Sequence, residues 1–385
     1  MKRKVCVVVN SRANYGRIKS FMRAAQHSSE LTLQVVVGAS AVLYRFGNVK
    51  AVIQEDGFSI DAEMHSVVEG NEPVAMSMSA GLAGIELSGI LNSLAPDVVV
   101  VVADRYEQIA TAISSSYMNI PVAHLQGGEL TGSIDDSVRH AISKLAHIHF
   151  PATDLAGRRL VKMGEDPNSI HVIGCPSIDL VFESEGAPPA SVMRTGVGSQ
   201  VDLSRPYLVV VQHPVTTEYL DAYSQVTETI SAVRSINEDS GVQVVWLWPN
   251  VDAGSDSVSK KIREFRESKD STGFHFFRNF TPENYIRVMR GAKCIVGNSS
   301  SGIREASFLG LPSVSVGTRQ RGRERSDNVI DVGYSAEEIE GATRRQLNRG
   351  PFDSSTLYGD GGAGQRMAEI LSNTELSVSK NFFEG

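Results

Sequence analysis

Short apolar runs alternate with longer stretches of mixed polarity along the whole chain. The runs lie at residues 5–9, 31–37, 97–102, 121–124, 148–150 and 171–173 in the first half, and at 207–211, 242–247, 275–277, 293–296 and 313–316 in the second. Continuous Val and Ile runs of this length are typical of strands that are buried on both faces of a parallel sheet. Because the intervening segments are long enough for crossover helices, the pattern predicts an α/β protein with doubly wound sheets.

The alternation is interrupted once, between residues 183 and 205. This segment is rich in Gly, Pro and Ser and has little apolar periodicity, which is typical of a linker. At 385 residues the chain is long enough for two or three domains of about 150 residues each. We therefore expect two Rossmann-like domains that face a cleft, the first at 1–182 and the second from residue 206.

Charge and composition narrow the class of protein. Lys and Arg number 37 against 44 Asp and Glu, and this net charge of −7 lacks the basic footprint of a nucleic-acid binder. The thickest apolar block, residues 98–103, is too short to cross a bilayer, and the apolar run near the N-terminus ends too early for a signal peptide. The widely separated Cys6, Cys175 and Cys294 are typical of buried free thiols in a reducing compartment. We expect a cytoplasmic protein that binds neither nucleic acid nor membrane.

The residues that follow the predicted strands are rich in chemical groups. Ligands of open parallel sheets bind beyond the carboxyl ends of the strands, so these residues are the first candidates for a site. No GxGxxG follows the first strand and no Walker pattern occurs, so neither dinucleotide nor P-loop chemistry is supported. The candidates are Arg12, Asp104, Arg105, Gln126 and Glu129 in the first half, and His213, Asn250, Ser299, Ser300 and Arg319 in the second.

Residues 298–302, Asn-Ser-Ser-Ser-Gly, leave one of these strands and precede a predicted helix at 303–309. Free backbone N–H groups and Ser hydroxyls at a helix N-terminus can bind an anion such as diphosphate, although an ordinary N-cap serine is the simpler alternative. Glu305, inside the same helix, could accept hydrogen bonds from a ribose diol or could be a carboxylate favoured by the helix dipole. Both pairs of alternatives stay open at this point.

Residues 133–136, Ser-Ile-Asp-Asp, match a capping box at the start of a helix with an apolar face at Val138, Ile142 and Leu145. Asp135 and Asp136 could be solvated partners of the helix dipole. They also follow a loop with two glycines, which lets the backbone approach a ligand.

A His-x-His pair at 147–149 has no third ligand at metal-like spacing, so we expect no metal.

Five motifs occur together in a fixed order in the second half. They are Gln-His-Pro-Val-Thr-Thr at 212–217, Pro-Asn-Val-Asp-Ala-Gly at 249–254, Gly-Asn-Ser-Ser at 297–300, Gly-Thr-Arg-Gln at 317–320 and Tyr-Gly-Asp-Gly at 358–361. With these motifs the sequence resembles, over nearly its whole length, the hydrolysing UDP-N-acetylglucosamine 2-epimerases of sialic acid biosynthesis, including the epimerase half of the bifunctional epimerase/N-acetylmannosamine kinase. The resemblance implies a GT-B-like fold, a UDP-binding domain at 206–364, and a C-terminal helix within 365–385 that crosses back to the first domain. It also implies a homodimer or homotetramer, and none of the implied roles requires a metal or another cofactor.

The family reaction implied by the resemblance eliminates UDP across C1 and C2 to give 2-acetamidoglucal, which is then hydrated to N-acetylmannosamine. Removal of the C2 proton needs a positioned carboxylate, and the departing diphosphate needs donors and cations. By motif, Asp104 and Asp135 correspond to the acid/base carboxylates, with Asp136 as a further candidate. His213 lies at the diphosphate and leaving group, Arg12 faces the phosphates, and Arg105 helps to place the sugar or phosphate.

The same resemblance assigns the nucleotide end of the site. Ser299 and Ser300 correspond to the diphosphate-binding pair, and Glu305 to the ribose ligand. Phe280 corresponds to the uracil contact. Asn250 and Arg319 are further pocket residues.

Three positions depart from the family pattern. Ala103 stands where many relatives have Gly, Asn14 replaces an acid, and Gln126 stands where several relatives have a catalytic Glu. Gln126 can orient a hydroxyl or water but cannot carry a proton. Either Asp104 and Asp135 therefore suffice, or the nearby Glu129 supplies the missing base.

Other functions are compatible with the same residues. The substrate could be a related nucleotide sugar, UDP-2,4-diacetamido-2,4,6-trideoxyglucose of the legionaminic acid pathway. The enzyme could also be a non-hydrolysing UDP-N-acetylglucosamine 2-epimerase that retains the nucleotide. A glycosyltransferase or a catalytically inactive nucleotide-sugar sensor could use the same fold and the same diphosphate clamp.

Overall fold

A computed structural model describes residues 2–384 and contains two sheets with helices on both faces. The first sheet has six parallel strands in the order β3-β2-β1-β4-β5-β6, the doubly wound order that reverses beside β1. Because β1 and β4 are neighbours, the loops that follow them lie side by side at the carboxyl edge of the sheet. Its strands are β1 (Arg3–Val9), β2 (Leu31–Val37), β3 (Ala62–Glu63), β4 (Val98–Val102), β5 (Val122–Leu125) and β6 (Ile148–Phe150).

The second sheet has seven strands in the order β13-β12-β11-β8-β9-β10-β7. All neighbouring strands are parallel except β7, which is antiparallel to β10. Here the order reverses between β8 and β11. The strands are β7 (Val197–Gly198), β8 (Tyr207–Val211), β9 (Gln243–Leu247), β10 (Phe274–Phe277), β11 (Cys294–Gly297), β12 (Ser313–Val316) and β13 (Val329–Val332).

Helices cover both faces of each sheet, and this arrangement confirms the predicted α/β class. In the first half they are α1 (Arg12–His27), α2 (Val49–Glu55), α3 (Pro73–Leu94), α4 (Tyr106–Tyr117), α5 (Asp135–Leu145), α6 (Asp154–Lys162) and α7 (Pro176–Glu183). In the second half they are α8 (Ala190–Met193), α9 (Ala222–Ser240), α10 (Ser255–Arg266), α11 (Pro282–Gly291), α12 (Glu305–Leu309), α13 (Ala336–Arg349) and α14 (Ala363–Asn373).

The apolar runs form strands because both faces of each sheet are covered. All five valines of β4 are fully buried, and burial of one such side chain contributes about 1.5–3 kcal/mol. Odd and even positions of β1 serve different cores: Val5, Val7 and Val9 pack with α1, whereas Cys6 and Val8 pack with α3.

Several local predictions were wrong. The run at 171–173 forms no strand and leaves only an isolated bridge between His149 and Ile170. The helix expected from residue 303 begins at Glu305 and is preceded by a 3₁₀ turn at Ser300–Gly302. Within the expected linker, β7 extends the second sheet, and Met193 packs in a core of that domain.

The expectation that no segment is long enough to cross a membrane considered only uninterrupted apolar blocks. Helix α3 contains small and polar residues, but by length and composition it is apolar enough to cross a membrane. It lies in the sheet–helix packing of the first domain. One stripe, which includes Leu87 and Leu91, is buried against Cys6 and Val8. Its opposite face is exposed and apolar.

The chain passes between the two domains twice. It leaves the first domain after α7, and α14 returns to pack against α1 and α7. At the second passage the N–H of Cys175 donates to the carbonyl of Tyr358 (2.7 Å). The backbones approach so closely that a Cβ on Gly174, whose φ is 83°, would lie 3.0 Å from the Cα of Gly359.

Candidate functional site

A cleft of about 1230 Å³, including the solvent at its mouth, separates the carboxyl edges of the two sheets. The structure brings most of the predicted site residues together in its walls. Those in the walls are Arg12, Asp104, Arg105, Asp135, His213, Asn250, Phe280, Ser299, Ser300, Glu305 and Arg319. The predicted residues that do not line it are Gln126, Glu129 and Asp136.

Asp104 lies at the end of β4, where the chain turns sharply into the cleft. Ala103 has a φ of 61°, the left-handed conformation that glycine adopts freely and that costs alanine about 1–2 kcal/mol. The Asp104 carboxylate is 91% buried and contacts the guanidinium of Arg139, from α5. It also lies 3.9 Å from Nη2 of Arg323, which comes from the second domain. Two cations therefore favour its ionised form.

Asp135 begins α5 and lines the same cleft in a different electrostatic environment. Burial raises the pKa of its carboxyl, and the neighbouring Asp252 raises it further, although Arg319 acts in the opposite direction. Two carboxyl groups whose surroundings push their protonation apart are suited to act as a base and an acid.

The carboxylate of Asp136 is hydrogen-bonded to backbone N–H groups of the preceding loop. Its carboxylate accepts hydrogen bonds from the N–H groups of Thr131 (2.6 Å) and Gly132 (2.9 Å) and pairs with Arg139 (2.9 Å). It therefore does not reach back to the N–H of Ser133, as the predicted capping box required. Asp136 holds the loop before α5 instead of facing the cleft.

Glu129 lies between Arg304 and Arg323, both of which contact its Oε2. Burial alone would raise the pKa of Glu129, but these two arginines outweigh it and hold the pKa below its ordinary value. Glu129 is thus an anion shared between the two domains, and the expectation that it could replace a missing base has no support in its position.

Gln126 also turns away from the cleft lining. Its φ is 67°, and its Nε2 donates to Sγ of Cys175 at 3.0 Å. Sγ of Cys175 in turn lies 2.9 Å from Oγ of Ser177, which does line the cleft. Gln126 can therefore act on the site only through these neighbours.

His213 follows β8 and is fixed by the residues around it. Its backbone N–H donates to Oδ1 of Asn298 (2.7 Å), and Nδ2 of Asn298 donates to its carbonyl (2.8 Å). Nδ1 accepts the N–H of Asn250 (3.2 Å), which assigns the ring proton to Nε2. Burial, followed by the charges of Arg319 and Arg12, holds the pKa of His213 well below its usual range. His213 is therefore a neutral donor at pH 7.

The loop after β11 supplies hydroxyl groups to the cleft. Oγ of Ser299 accepts the N–H of Ser301 (3.3 Å), and the hydroxyl of Tyr285 lies 2.6 Å from Oγ of Ser301. Arg17, from α1 of the first domain, donates to Oγ of Ser300 at 2.6 Å. Hydroxyls from one domain and a cation from the other thus converge at one point, which is an arrangement suited to a diphosphate.

Cations concentrate in this cleft although the whole chain is acidic. Burial lowers the pKa of Arg12 and of Arg17 to about 10, so both remain charged at neutral pH. Arg12 donates to the carbonyls of Trp248 (2.8 Å) and Arg278 (2.7 Å) across the cleft. The arginines in its walls outnumber the carboxylates Asp104, Asp135 and Glu305, and this local excess of positive charge attracts an anionic ligand more strongly than the net charge of the chain suggests.

The remaining end of the cleft is suited to a nucleoside. The ring of Phe280 lies 4.4 Å from that of Phe277 and faces the cleft. Oε2 of Glu305 is buried and has no hydrogen-bond partner among residues 2–384, an arrangement that costs about 1–3 kcal/mol or more until a donor arrives. A ribose diol would provide that donor.

Four residues of the site were not predicted. Arg139 is four residues after Asp135 on the same helix face, so helical spacing could have indicated it, whereas Arg17 lies five residues after Arg12, a spacing that does not place two side chains on one helix face. Asp252, which pairs with Arg105 at 2.8 Å, and Arg323 lie in or just after the quoted motifs.

Within residues 2–384, no group of three or more His, Cys, Asp or Glu side chains is arranged to hold a metal.

Comparisons with known proteins extend over both domains. A family model described as UDP-N-acetylglucosamine 2-epimerase matches residues 23–372. A Legionella pneumophila protein named UDP-N,N'-diacetylbacillosamine 2-epimerase (hydrolyzing) is 32% identical over 376 residues, 98% of this chain and 97% of the relative. A UDP-N-acetylglucosamine 2-epimerase of Neisseria meningitidis serogroup B is 30% identical over 390 residues, 100% of this chain and 99% of the relative.

Solved structures show the same architecture. The Methanocaldococcus jannaschii UDP-GlcNAc 2-epimerase, in complex with UDP-GlcNAc and UDP, aligns with a TM-score of 0.78 at 16% identity and covers 96% of this chain and 100% of its own. The Neisseria meningitidis UDP-GlcNAc 2-epimerase bound to UDP-GlcNAc gives a TM-score of 0.77, also at 16% identity, with 96% and 100% covered. Together with the two facing sheets, these alignments confirm the expected GT-B-like fold.

Proposed function

Since this chain belongs to the UDP-N-acetylglucosamine 2-epimerase family, we propose that it is a hydrolysing member, which converts UDP-N-acetylglucosamine to N-acetylmannosamine and UDP. The observation that carries the proposal is one cleft with two chemically different walls. Asp104 and Asp135 of the first domain face His213 and the serine loop at 299–301 of the second. An elimination at C1 and C2 needs both walls at once.

In the first stage the Asp104 carboxylate takes the C2 proton while the C1–O bond breaks and UDP leaves with the bonding electrons. Nε2–H of His213, the serine hydroxyls and Arg17 stabilise the negative charge on the departing diphosphate. In the second stage water adds across the double bond of 2-acetamidoglucal, with its hydroxyl on C1 and a proton on C2 from the opposite face. Asp135, which the cleft favours in its protonated form, donates that proton, and the carboxylate so formed takes the proton that the water loses as its oxygen bonds to C1. Asp104 releases the proton it took from C2 to solvent, so both carboxyl groups return to their starting forms.

A second candidate substrate is UDP-N,N'-diacetylbacillosamine, which is UDP-2,4-diacetamido-2,4,6-trideoxyglucose. It is favoured by the Legionella relative and by a Campylobacter jejuni relative, 28% identical over 86% of this chain, whose names specify this sugar. The elimination chemistry at C1 and C2 is the same for both substrates. A non-hydrolysing reaction, in which UDP returns to the glycal, is the remaining alternative.

Product analysis by NMR in deuterated water tests the proposal. The purified protein is incubated separately with the two nucleotide sugars, and the products are followed with time. Free N-acetylmannosamine with deuterium at C2, together with UDP, is the expected result. If the UDP-linked epimer is the sole product, hydrolysis is excluded. A product without deuterium at C2 would contradict the elimination route. Faster turnover of UDP-N,N'-diacetylbacillosamine would select the second candidate.

We further propose that two copies of the chain associate through the exposed face of α3 and the adjoining part of α4. This face carries six exposed apolar side chains, and α3 contains no Lys or Arg. Helices that lie on membranes usually carry basic residues, so the composition of α3 argues against a membrane as the partner of this face. Insertion of α3 into a membrane would remove Leu87 and Leu91 from the core of the first domain. A second copy covers the face without that loss. The exposed side chains are Val74, Met78, Leu82, Ile85, Ile113 and Tyr117.

Light scattering after size-exclusion chromatography tests the association. We expect a dimer or a tetramer for the wild type and a smaller species for Ile85→Glu, because Ile85 is 76% exposed on this face. Leu220→Glu, at an 80% exposed apolar position of the second domain, should leave the assembly unchanged. A monomeric wild type, or binding of the wild type to lipid vesicles, would contradict the proposal.

We also propose that the protein is cytoplasmic. This localisation is supported by three cysteines that are all buried and free.

A further inference from the structure

The Asp104 carboxylate is approached by cations from both domains. Arg139 of the first domain contacts its Oδ2, and Nη2 of Arg323 lies 3.9 Å from the same atom. The Arg323 guanidinium is fixed by two more partners. Nη1 contacts Glu129, and Nε donates to Oε1 of Gln320 at 2.5 Å. Arg323 is buried, so little water screens its charge from Asp104.

The other charged groups around Asp104 are already paired or lie farther away. His124, which contacts the carbonyl of Ala103, is neutral because burial lowers its pKa to about 3. Among residues 2–384, Arg139 and Arg323 are the only Lys, Arg or His residues with a side-chain nitrogen within 4.0 Å of the Asp104 carboxylate. The charged groups that surround this cluster are Asp135 and Asp136 on α5, Glu129 after β5, Arg304 and Arg319 of the second domain, Arg17 on α1, and Arg105 with its partners Glu107 and Asp252.

We propose that Arg323 is a positioning residue that carries charge from the second domain to Asp104, so that the carboxylate is held in its proton-accepting form when the two domains meet. This inference rests on the proposed role of Asp104 as the base. A cation within about 4–6 Å of a carboxylate typically lowers its pKa by about 1–3. Separation of the domains would withdraw Arg323 and leave Arg139 as the remaining close cation.

Arg304 provides a matched control. It is equally buried, also belongs to the second domain, and contacts the same Oε2 of Glu129 as Arg323 does. It makes no contact within 4.0 Å with Asp104. Replacement of Arg304 therefore removes a comparable pairing between the domains without removing a cation from the base.

The experiment is the pH profile of kcat/KM for the wild type, Arg323→Gln, Arg304→Gln and Arg323→Lys, with UDP binding as a check of folding. We expect the acid limb of Arg323→Gln to move up by about one pH unit, which is about tenfold less activity on that limb. Arg304→Gln should keep the wild-type limb, and Arg323→Lys, which retains the charge, should restore most of it. Arg323→Met, of similar length and without charge, repeats the test if Arg323→Gln does not fold.

An unmoved limb in Arg323→Gln, or an equal shift in Arg304→Gln, would overturn the role of Arg323 and leave the proposed function intact. Failure of the proposed function has a different signature. In that case the wild type would release no UDP from either nucleotide sugar, or Asp104→Asn would retain full turnover.

Discussion

Asn298 is the residue that ties the position of His213 to the second sheet. It follows β11, is 99% buried, and its side-chain amide bonds both the N–H (2.7 Å) and the carbonyl (2.8 Å) of His213. The substitution Asn298→Ala removes both bonds but keeps the backbone carbonyl to which Gln320 donates. The perturbation is therefore confined to the loop that carries the histidine.

The cost follows from two buried backbone groups that lose their partners. Each unsatisfied group costs about 1–3 kcal/mol, so Asn298→Ala should lower the free energy of unfolding by roughly 3 kcal/mol. Catalysis should fall as well, because Nε2–H of His213 no longer has a fixed direction. A displacement of about 1 Å at such a group can cost about 100-fold in rate.

The assay pairs denaturant unfolding with steady-state UDP release. Asn328→Ala is the matched control, because Asn328 is equally buried in the same domain, accepts from Ser307 (2.8 Å) and donates to Leu311 (2.8 Å). It does not line the cleft. We expect similar losses of stability in both variants and a large loss of kcat/KM in Asn298→Ala alone. Equal losses of kcat/KM, or wild-type turnover in Asn298→Ala, would refute the reasoning.

Three further predictions concern single carboxylates. Asp104→Asn should bind UDP in calorimetry yet lose nearly all turnover, and wild-type-like activity would exclude its role as the base. Glu305→Gln should weaken UDP binding about tenfold but leave the affinity for 2',3'-dideoxy-UDP unchanged, whereas equal losses would exclude a ribose contact. Burial alone would raise the pKa of Glu165, but hydrogen bonds from His149, Lys144 and Lys380 lower it to about 2. Because the folded-state pKa is below the unfolded value, this stabilisation is present above about pH 5 and is lost as the pH falls towards 2. Glu165→Gln should therefore cost roughly 3 kcal/mol at pH 7 in urea unfolding, with a smaller difference at pH 4, and a cost independent of pH would contradict the assignment.

The strands that could be predicted are those whose burial is written into a continuous apolar run. β4 and β8 are such runs, and all of their residues are buried. β13 could not be found in this way, because Val329–Val332 is only half-buried at a sheet edge and contains Asp331. β7 has two exposed residues, and its pairing is set by partners 77 and 79 residues away in β10, which no local pattern encodes.

The site was predictable to the extent that strand ends determine position. Parallel strands present their carboxyl ends at one edge, and Asp104 and His213 meet in the cleft for that reason. Whether a carboxylate is free or already paired depends on contacts distant in sequence. Glu129 meets Arg304 and Arg323 from 175 and 194 residues away. A local pattern shows the acid but not its partners.

The two passages of the chain between the domains lie next to each other, and this limits how the cleft can open. A Cβ on Gly361, in the second passage, would lie 2.8 Å from the ring of Phe182 at the end of α7, where the first passage begins, and α7 contacts helices of both domains. A single connection would let one domain rotate about the other in any direction, whereas two adjacent connections restrict the rotation to one hinge axis. Motion about that axis changes the width of the cleft but keeps its walls in register. An opening motion about that axis would let a nucleotide sugar enter and leave while each wall meets the same opposite residues when the cleft closes again.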